Sequence, residues 1–376
     1  MAMTRQALEV NDTDAAVRLY MALELSDGKW KVVVGDNSRA PSQHSVGAGE
    51  ALALLALIEK AKKRCGLDGA TPVVSCYEAG RDGFWLHRWL VEHGVANVVV
   101  DSSSIEVNRR QRRAKSDRLD ALKLYEMLVR YFGGERRVWQ VVRVPTVQEE
   151  DARRPHRERE RLQRERNAHL NRICSLALLH NVRLQRQRGM QVQVAALEGR
   201  VPTALLNELR RECERLQLIE RQMRELAAAI DAQAESLLEQ QGPLAALMKV
   251  RSIGIKSAWI LVNELFGWRR FNNRREVAGC VGLTPTPYDS GGSTREQGIS
   301  KAGNRRLRAL LVELAWLWLR HQPQSALSLW FGERFAGGGK RMRRIGIVAM
   351  ARRLLVALWR YVQHGVIPAG AQLKAA

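Results

Sequence analysis

The sequence predicts an α/β domain, then a long helical stretch, then a mainly helical C-terminal region. Three observations carry this. Strand-like runs alternate with helix-like runs up to about residue 145. After Pro145 the chain becomes dense in Arg and Glu and loses every strand signal. From Leu216, apolar residues recur at steps of three and four. At 376 residues the chain exceeds one typical domain.

Taken in order, the run from Arg18 to Ser26 reads as a strand. Asp27-Gly28 is a hairpin signal ahead of a second strand, Trp30 to Val34. Gly49 to Arg64 has the length and composition of a buried helix. Thr71 to Tyr77 is β-rich, Phe84 to His93 helical, and Ala96 to Asp101 a further strand. A basic stretch and a helix follow from Ser103 to Arg130. Asp151 to Arg166 suits a long solvated helix. The series Leu216, Ile219, Met223, Leu226, Ile230 and Leu237 makes a seam for a coiled coil or an antiparallel hairpin. Gln241-Gly242-Pro243 ends it. The region from Leu244 to about Pro368 is mainly helical, broken by Gly-rich loops at Tyr288 to Gly303 and Ala336 to Lys340. The expected parts are residues 1–145, 146–241 and 242–376.

Lys and Arg number 61 against 39 Asp and Glu, a net charge of +22 that points to a polyanionic partner. The charge is spread along the chain rather than held on one amphipathic helix, which favours nucleic acid over a membrane surface. The longest apolar runs are too short to cross a bilayer, and the N-terminal residues lack the pattern of a signal peptide, so a cytoplasmic location is expected. The five Cys residues are scattered without a Cys-x-x-Cys pair, and the eight His residues show no zinc spacing.

Four acids stand out: Glu24 in the first strand, Glu78 just after the third, and Asp117 and Asp120 at a helix start. Asp117 and Asp120, three apart, project from one face. Gathered carboxylates repel unless cations neutralise them, and Mg²⁺ prefers such hard oxygen ligands. Two ions about 4 Å apart can serve phosphoryl transfer. Taken singly, acids in a first helical turn also simply favour the helix dipole. Ser290, ahead of Gly291-Gly292, reads as a loop residue able to approach a phosphate, with Lys301, Arg305, Arg306 and Arg308 downstream. On spacing alone a plain turn serine is the better reading.

The segments Leu23-Glu24-Leu25-Ser26, Tyr77-Glu78-Ala79-Gly80 and Lys115-Ser116-Asp117-Arg118-Leu119-Asp120-Ala121 resemble the RuvC-like domain of the DEDD insertion-sequence transposases, the bridge-RNA-guided recombinases. Gly282-Leu283-Thr284-Pro285, Ser290-Gly291-Gly292 and the run from Gly298 to Arg308 are similar to that family's second transposase domain. The likeness spans nearly the whole chain. The family's first acid is usually Asp, and Glu24 is longer by one methylene.

The resemblance implies an RNase H-like (RuvC-like) α/β domain, a helical coiled-coil linker and a helical transposase domain. It implies Mg²⁺ on Glu24, Glu78, Asp117 and Asp120, with Ser290 as nucleophile. The implied partners are donor and target DNA, an element-encoded bridge RNA, and further copies of the chain as dimers that assemble to a tetramer.

Nucleic-acid contacts are expected from Arg109, Arg110, Arg112, Arg113 and Lys115, and from Lys256, Lys301, Arg305, Arg306, Arg308, Lys340 and Arg341. Lys256 follows Val250 to Gly254, which resembles the glycine turn of a helix-hairpin-helix. Trp316 and Trp318 are expected to pack rather than stack on bases. Two rival readings are a metal-dependent nuclease or junction resolvase that uses water, and a decayed transposase that binds nucleic acid without cutting it.

Overall fold

The computed structural model describes residues 17–106, 117–186, 189–290 and 293–374. The chain forms two compact units, Met1–Pro145 and Thr146–Ala376.

In the first unit, β1 (Leu19–Glu24), β2 (Lys29–Gly35) and β3 (Ser42–Gly47) form an antiparallel meander. After α1 (Ala51–Cys65), β4 (Val73–Glu78) pairs parallel with β1. After α2 (Trp85–Glu92), β5 (Val95–Val100) pairs parallel with β4. The strand order is β3-β2-β1-β4-β5. β3 was not foreseen, because Ser-Gln-His-Ser has no apolar alternation; it is an edge strand with little to bury. Period-two alternation assigns the rest. Leu19, Met21 and Leu23 pack with α1 and α2 on one face, while Ala22, Val74 and Cys76 pack with α3 (Asp117–Phe132) on the other. Gly66, at φ +66, closes α1 in the left-handed region.

Residue 146 opens the second unit with a capping box. The Thr146 hydroxyl accepts from the Glu149 N–H, and the Glu149 carboxylate accepts from the Thr146 N–H, starting α4 (Val147–Asp151). α5 (Arg154–Leu178) runs well past the predicted Arg166, because Leu162, Leu170 and Ile173 continue a buried face. α6 (Met190–Ala195) leads into α7 (Thr203–Glu239). Ion pairs Arg166–Glu220 and Arg172–Glu212 show that α5 and α7 run antiparallel. Leu216 of the predicted seam packs with Leu170 and Ile173 of the same chain, so the hairpin alternative describes this stretch.

The remaining core gathers α8 (Pro243–Lys249), α9 (Ile255–Leu261), α10 (Arg274–Cys280), α11 (Arg305–His321), α12 (Ala326–Phe331) and α13 (Lys340–His364). Two corrections belong here. The stretch expected as a loop from Tyr288 is a hairpin, β6 (Pro285–Ser290) and β7 (Ser293–Ile299). Gly-Gly between two strand runs is itself a two-residue hairpin signal, and an isolated two-stranded ribbon tolerates Pro285 and Pro287. The basic loop expected at Ala336 to Lys340 shrinks to three glycines. Ala336 closes a π-helical turn, and Lys340 and Arg341 already belong to α13. Among the described residues, no helix is long and apolar enough to cross a membrane.

Candidate active site

Glu24 ends β1 and Glu78 ends β4, and the two strands are parallel neighbours whose last recorded pair is Leu23 with Tyr77. Each glutamate continues the alternation of the face that carries Ala22 and Cys76, the face covered by α3. α3 runs antiparallel to β1. Tyr125 meets Tyr20 near the start of β1, and Ala121 lies beside Lys31 to Val33, opposite the strand's end. The first turn of α3, with Asp117 and the half-buried Asp120, therefore stands at the edge where Glu24 and Glu78 end. Topology thus places the backbone of all four acids towards the carboxyl ends of β1 and β4, and all are hard oxygen donors of the kind Mg²⁺ takes, although the side chains of Glu24, Glu78 and Asp120 are not drawn together into a metal site. Among the described residues, no group of three His, Cys, Asp or Glu side chains is close enough to hold a metal ion. The Asp117 side chain lies outside the described residues, as do Arg109, Arg110, Arg112, Arg113 and Lys115.

In the second unit Ser290 is the last residue of β6, paired with Ser293 across the hairpin end; its side chain lies outside the described residues. The base of the hairpin is built in detail. The Ser300 N–H donates to the Thr284 carbonyl (2.9 Å), Lys301 N–H to Gly282 (3.1 Å) and Asn304 N–H to Cys280 (3.0 Å). These bonds tie Gly282-Leu283-Thr284 to the segment from Ser300 to Asn304. Gly282 and Gly303 both have positive φ, and a Cβ on either would lie 1.9 Å from the Ala302 oxygen or 2.3 Å from the Cys280 oxygen, so the crossing requires glycine. Asn304 caps α11 by accepting from the N–H groups of Arg306 and Leu307.

Behind that cap lies the residue that sequence reading missed. Glu264 is 1% exposed in the π-helical turn Val262–Phe266. Its carboxylate accepts two hydrogen bonds from Arg157 (2.7 and 2.8 Å), one from Asn304 Nδ2 (2.9 Å), and lies 2.8 Å from His156 Nε2. Burial pushes its pKa up. The hydrogen bonds and charges of Arg157 and His156 outweigh burial and hold it well below the usual carboxylate range. Glu264 thereby joins α5 to the cap of α11 and, through Asn304, to the hairpin base. The only sequence signal was an acid inside the apolar run Trp259 to Phe266.

The predicted cations divide. Arg306 is paired with Glu160 and lies 3.7 Å from Glu264, and Arg308 donates to the Val281 carbonyl (2.8 Å). Lys256, Lys301, Arg305, Lys340 and Arg341 are exposed. Lys256 stands in the first turn of α9, two residues after Gly254. Trp318 is core, its indole N–H donating to Ser325, while Trp316 is 39% exposed with its ring edge against Phe331.

A family model described as the transposase IS116/IS110/IS902 family matches residues 244–329, which include the hairpin, Glu264 and Asn304. The chain is 42% identical over 378 residues to the y4rJ protein of Sinorhizobium fredii, named as a transposase, covering 95% of this chain and 94% of that one. It is 27% identical over 223 residues to the transposase for insertion sequence element IS1328 of Yersinia enterocolitica, covering 56% and 63% of the two chains. It is 28% identical over 262 residues to the transposase for insertion sequence element IS1111A of Coxiella burnetii, covering 65% and 66%.

Proposed function

This chain belongs to the IS116/IS110/IS902 family of transposases, and from that premise we propose that it cuts and rejoins DNA with Ser290 as nucleophile and four carboxylates that hold Mg²⁺. The observation that carries the reading is that Glu24 and Glu78 end two neighbouring parallel strands on the face that α3 covers, at the end where α3 begins. The strand order β3-β2-β1-β4-β5 supports an RNase H-like unit beneath it. Glu24, Glu78, Asp117 and Asp120 would hold the ions, whose chemistry is to polarise the phosphate and stabilise oxygens that gain charge.

The Ser290 oxygen would bond to the scissile phosphorus as the bond to the leaving sugar oxygen breaks. The serine proton would go to a general base, and the leaving oxygen would take up a proton. Attack by a new sugar hydroxyl on the phosphoserine reverses the exchange, with one phosphodiester formed for each one broken. Support for Ser290 is its place at the end of a hairpin whose base is fixed by three backbone hydrogen bonds and two obligatory glycines. An element-encoded bridge RNA would select donor and target. The α5–α7 hairpin, with Leu218 44% exposed, would join copies into dimers and then a tetramer.

The test is incubation of protein, its flanking RNA and supercoiled donor with Mg²⁺. The expected product is a protein–DNA adduct that survives denaturant, disappears on proteolysis and is absent from Ser290→Ala. Cleavage by Ser290→Ala at the wild-type rate without an adduct would instead assign a water-using nuclease.

A further inference from the structure

After Glu333 the sequence has nine Lys or Arg residues and no Asp or Glu. The structure places all of them except Lys374 on α13 and on the π-helical turn Gly332–Ala336 before it. Among the described residues no carboxylate pairs with any of these cations. Arg353 stacks on the Trp330 ring, 3.8 Å from its centroid, and burial and then the charges of Arg334 and Arg352 lower its pKa. The start of α13 stands apart from the rest of the helix. Lys340, Arg341, Met342, Arg343, Arg344 and Ile345 are all exposed, Met342 to 44% and Ile345 to 50%. Six consecutive residues cover every side of a helix, so these turns project beyond the core that holds α13 from Gly346 onward. At about 100° per residue, Met342 and Ile345 share one side, with Arg341 and Arg344 on one flank and Arg343 on the other. Arg352 and Arg353 recur on that side about two turns beyond Ile345.

We propose that the first two turns of α13 dock in the major groove of duplex DNA, with the apolar side towards the base edges and the flanking arginines on the phosphates of the two strands. A projecting helix end roughly 10–12 Å across fits a groove about 12 Å wide, whereas the minor groove, at about 6 Å, is too narrow. Met342 and Ile345 leave water on docking, and the thymine methyls on the groove floor are apolar partners for them. Arg352 and Arg353 meet phosphates further along the same side. The cations alone suit any polyanion. The projecting helix selects DNA, because the major groove of duplex RNA is too deep and narrow to admit it. The inference rests on the reading of this chain as an enzyme that acts on DNA, and it is independent of Ser290 and of the four carboxylates.

The test measures the affinity of the full chain, over a series of salt concentrations, for three duplexes of matched sequence and length. One is plain DNA, one is DNA whose cytosines carry a glucosylated 5-hydroxymethyl group, and one is RNA. The sugar fills the major groove and leaves the phosphates unchanged. Plain DNA should bind about tenfold tighter than filled DNA, roughly the size of one good base-edge contact, and tighter than RNA. Arg341→Ala combined with Arg343→Ala removes one contact from each wall of the groove. It should make the log–log salt slope for plain DNA shallower by about 2 and bring plain and filled DNA to similar affinities. The melting temperature should stay near that of the wild type, because both side chains are exposed. If this variant melts early, Met342→Ser combined with Ile345→Ser replaces it and should lose the preference for plain DNA without a change in slope. Equal wild-type affinity for plain and filled DNA, RNA bound as tightly as DNA, or a slope unmoved in the arginine variant overturns the docking assignment alone. No binding to any duplex overturns it together with the DNA reading.

Discussion

Glu264 carries its charge at a position that water scarcely reaches, so its pairing must be complete for the fold to keep it. Its pKa is depressed in the folded protein, so its contribution to stability is fully present above the unfolded carboxylate value, near 4.3. That contribution fades as pH falls below that value towards the folded one. Glu264→Ala should destabilise the second unit by about 3 kcal/mol, the low end for a broken buried pair because Arg157 keeps some water. Urea unfolding at pH 7 and pH 3 checks this. The variant should lose much less at pH 3, and an equal loss at both would show that the carboxylate charge is not what matters. A sequence reader could flag Glu264, since an acid inside an apolar run must find partners. Its partners could not be named, because Arg157 and His156 stand more than 100 residues away in the chain.

Among the elements, the hairpin shows why a motif can be legible while its conformation is not. The two glycine-rich segments were readable as motifs, but that each is the other's hydrogen-bond partner depends on a crossing that only the fold makes. Proline and paired glycines suggested a loop, although the same glycines between Ser290 and Ser293 fit a tight hairpin equally well. A paired comparison tests the crossing. Gly303→Ala forces a Cβ to within 2.3 Å of the Cys280 carbonyl oxygen at φ +80, so backbone must move. Gly298→Ala has the same sign of φ, at +88, with open space around it. Both carry the left-handed strain of roughly 1 kcal/mol. Only Gly303→Ala should add a steric loss, lowering the thermal midpoint further and reducing DNA cleavage. Equal midpoints would remove the crossing as a structural constraint. The first-unit strands were legible for a simpler reason: Leu19, Met21 and Leu23 alternate with the other face over a full strand length, whereas polar β3 contributes almost nothing to either core.

Across the whole molecule the net charge of +22 was the plainest sequence signal, and it named a class of partner without naming the contacts. The structure separates cations that hold the fold from cations that face solvent. Arg306 and Arg308 belong to the first kind, through Glu160 and the Val281 carbonyl, and the guanidinium of Arg308 cannot leave without stranding a carbonyl beside the hairpin base. Lys256, Lys301, Arg305, Lys340 and Arg341 belong to the second. Each phosphate contact releases counterions, so affinity for duplex DNA should fall steeply with salt, with a log–log slope of about −4 or steeper if these five all engage. The division predicts how the slope changes. Lys301→Ala should make it shallower by about 1 and leave the melting temperature nearly unchanged, because an exposed side chain is removed. Arg308→Ala should leave the slope close to that of the wild type and lower the melting temperature. Binding titrations over a series of salt concentrations, with melting curves for the same proteins, separate the two effects. If Arg308→Ala flattened the slope as much as Lys301→Ala did, Arg308 would reach phosphate in the bound state and the hairpin base would have to rearrange on DNA.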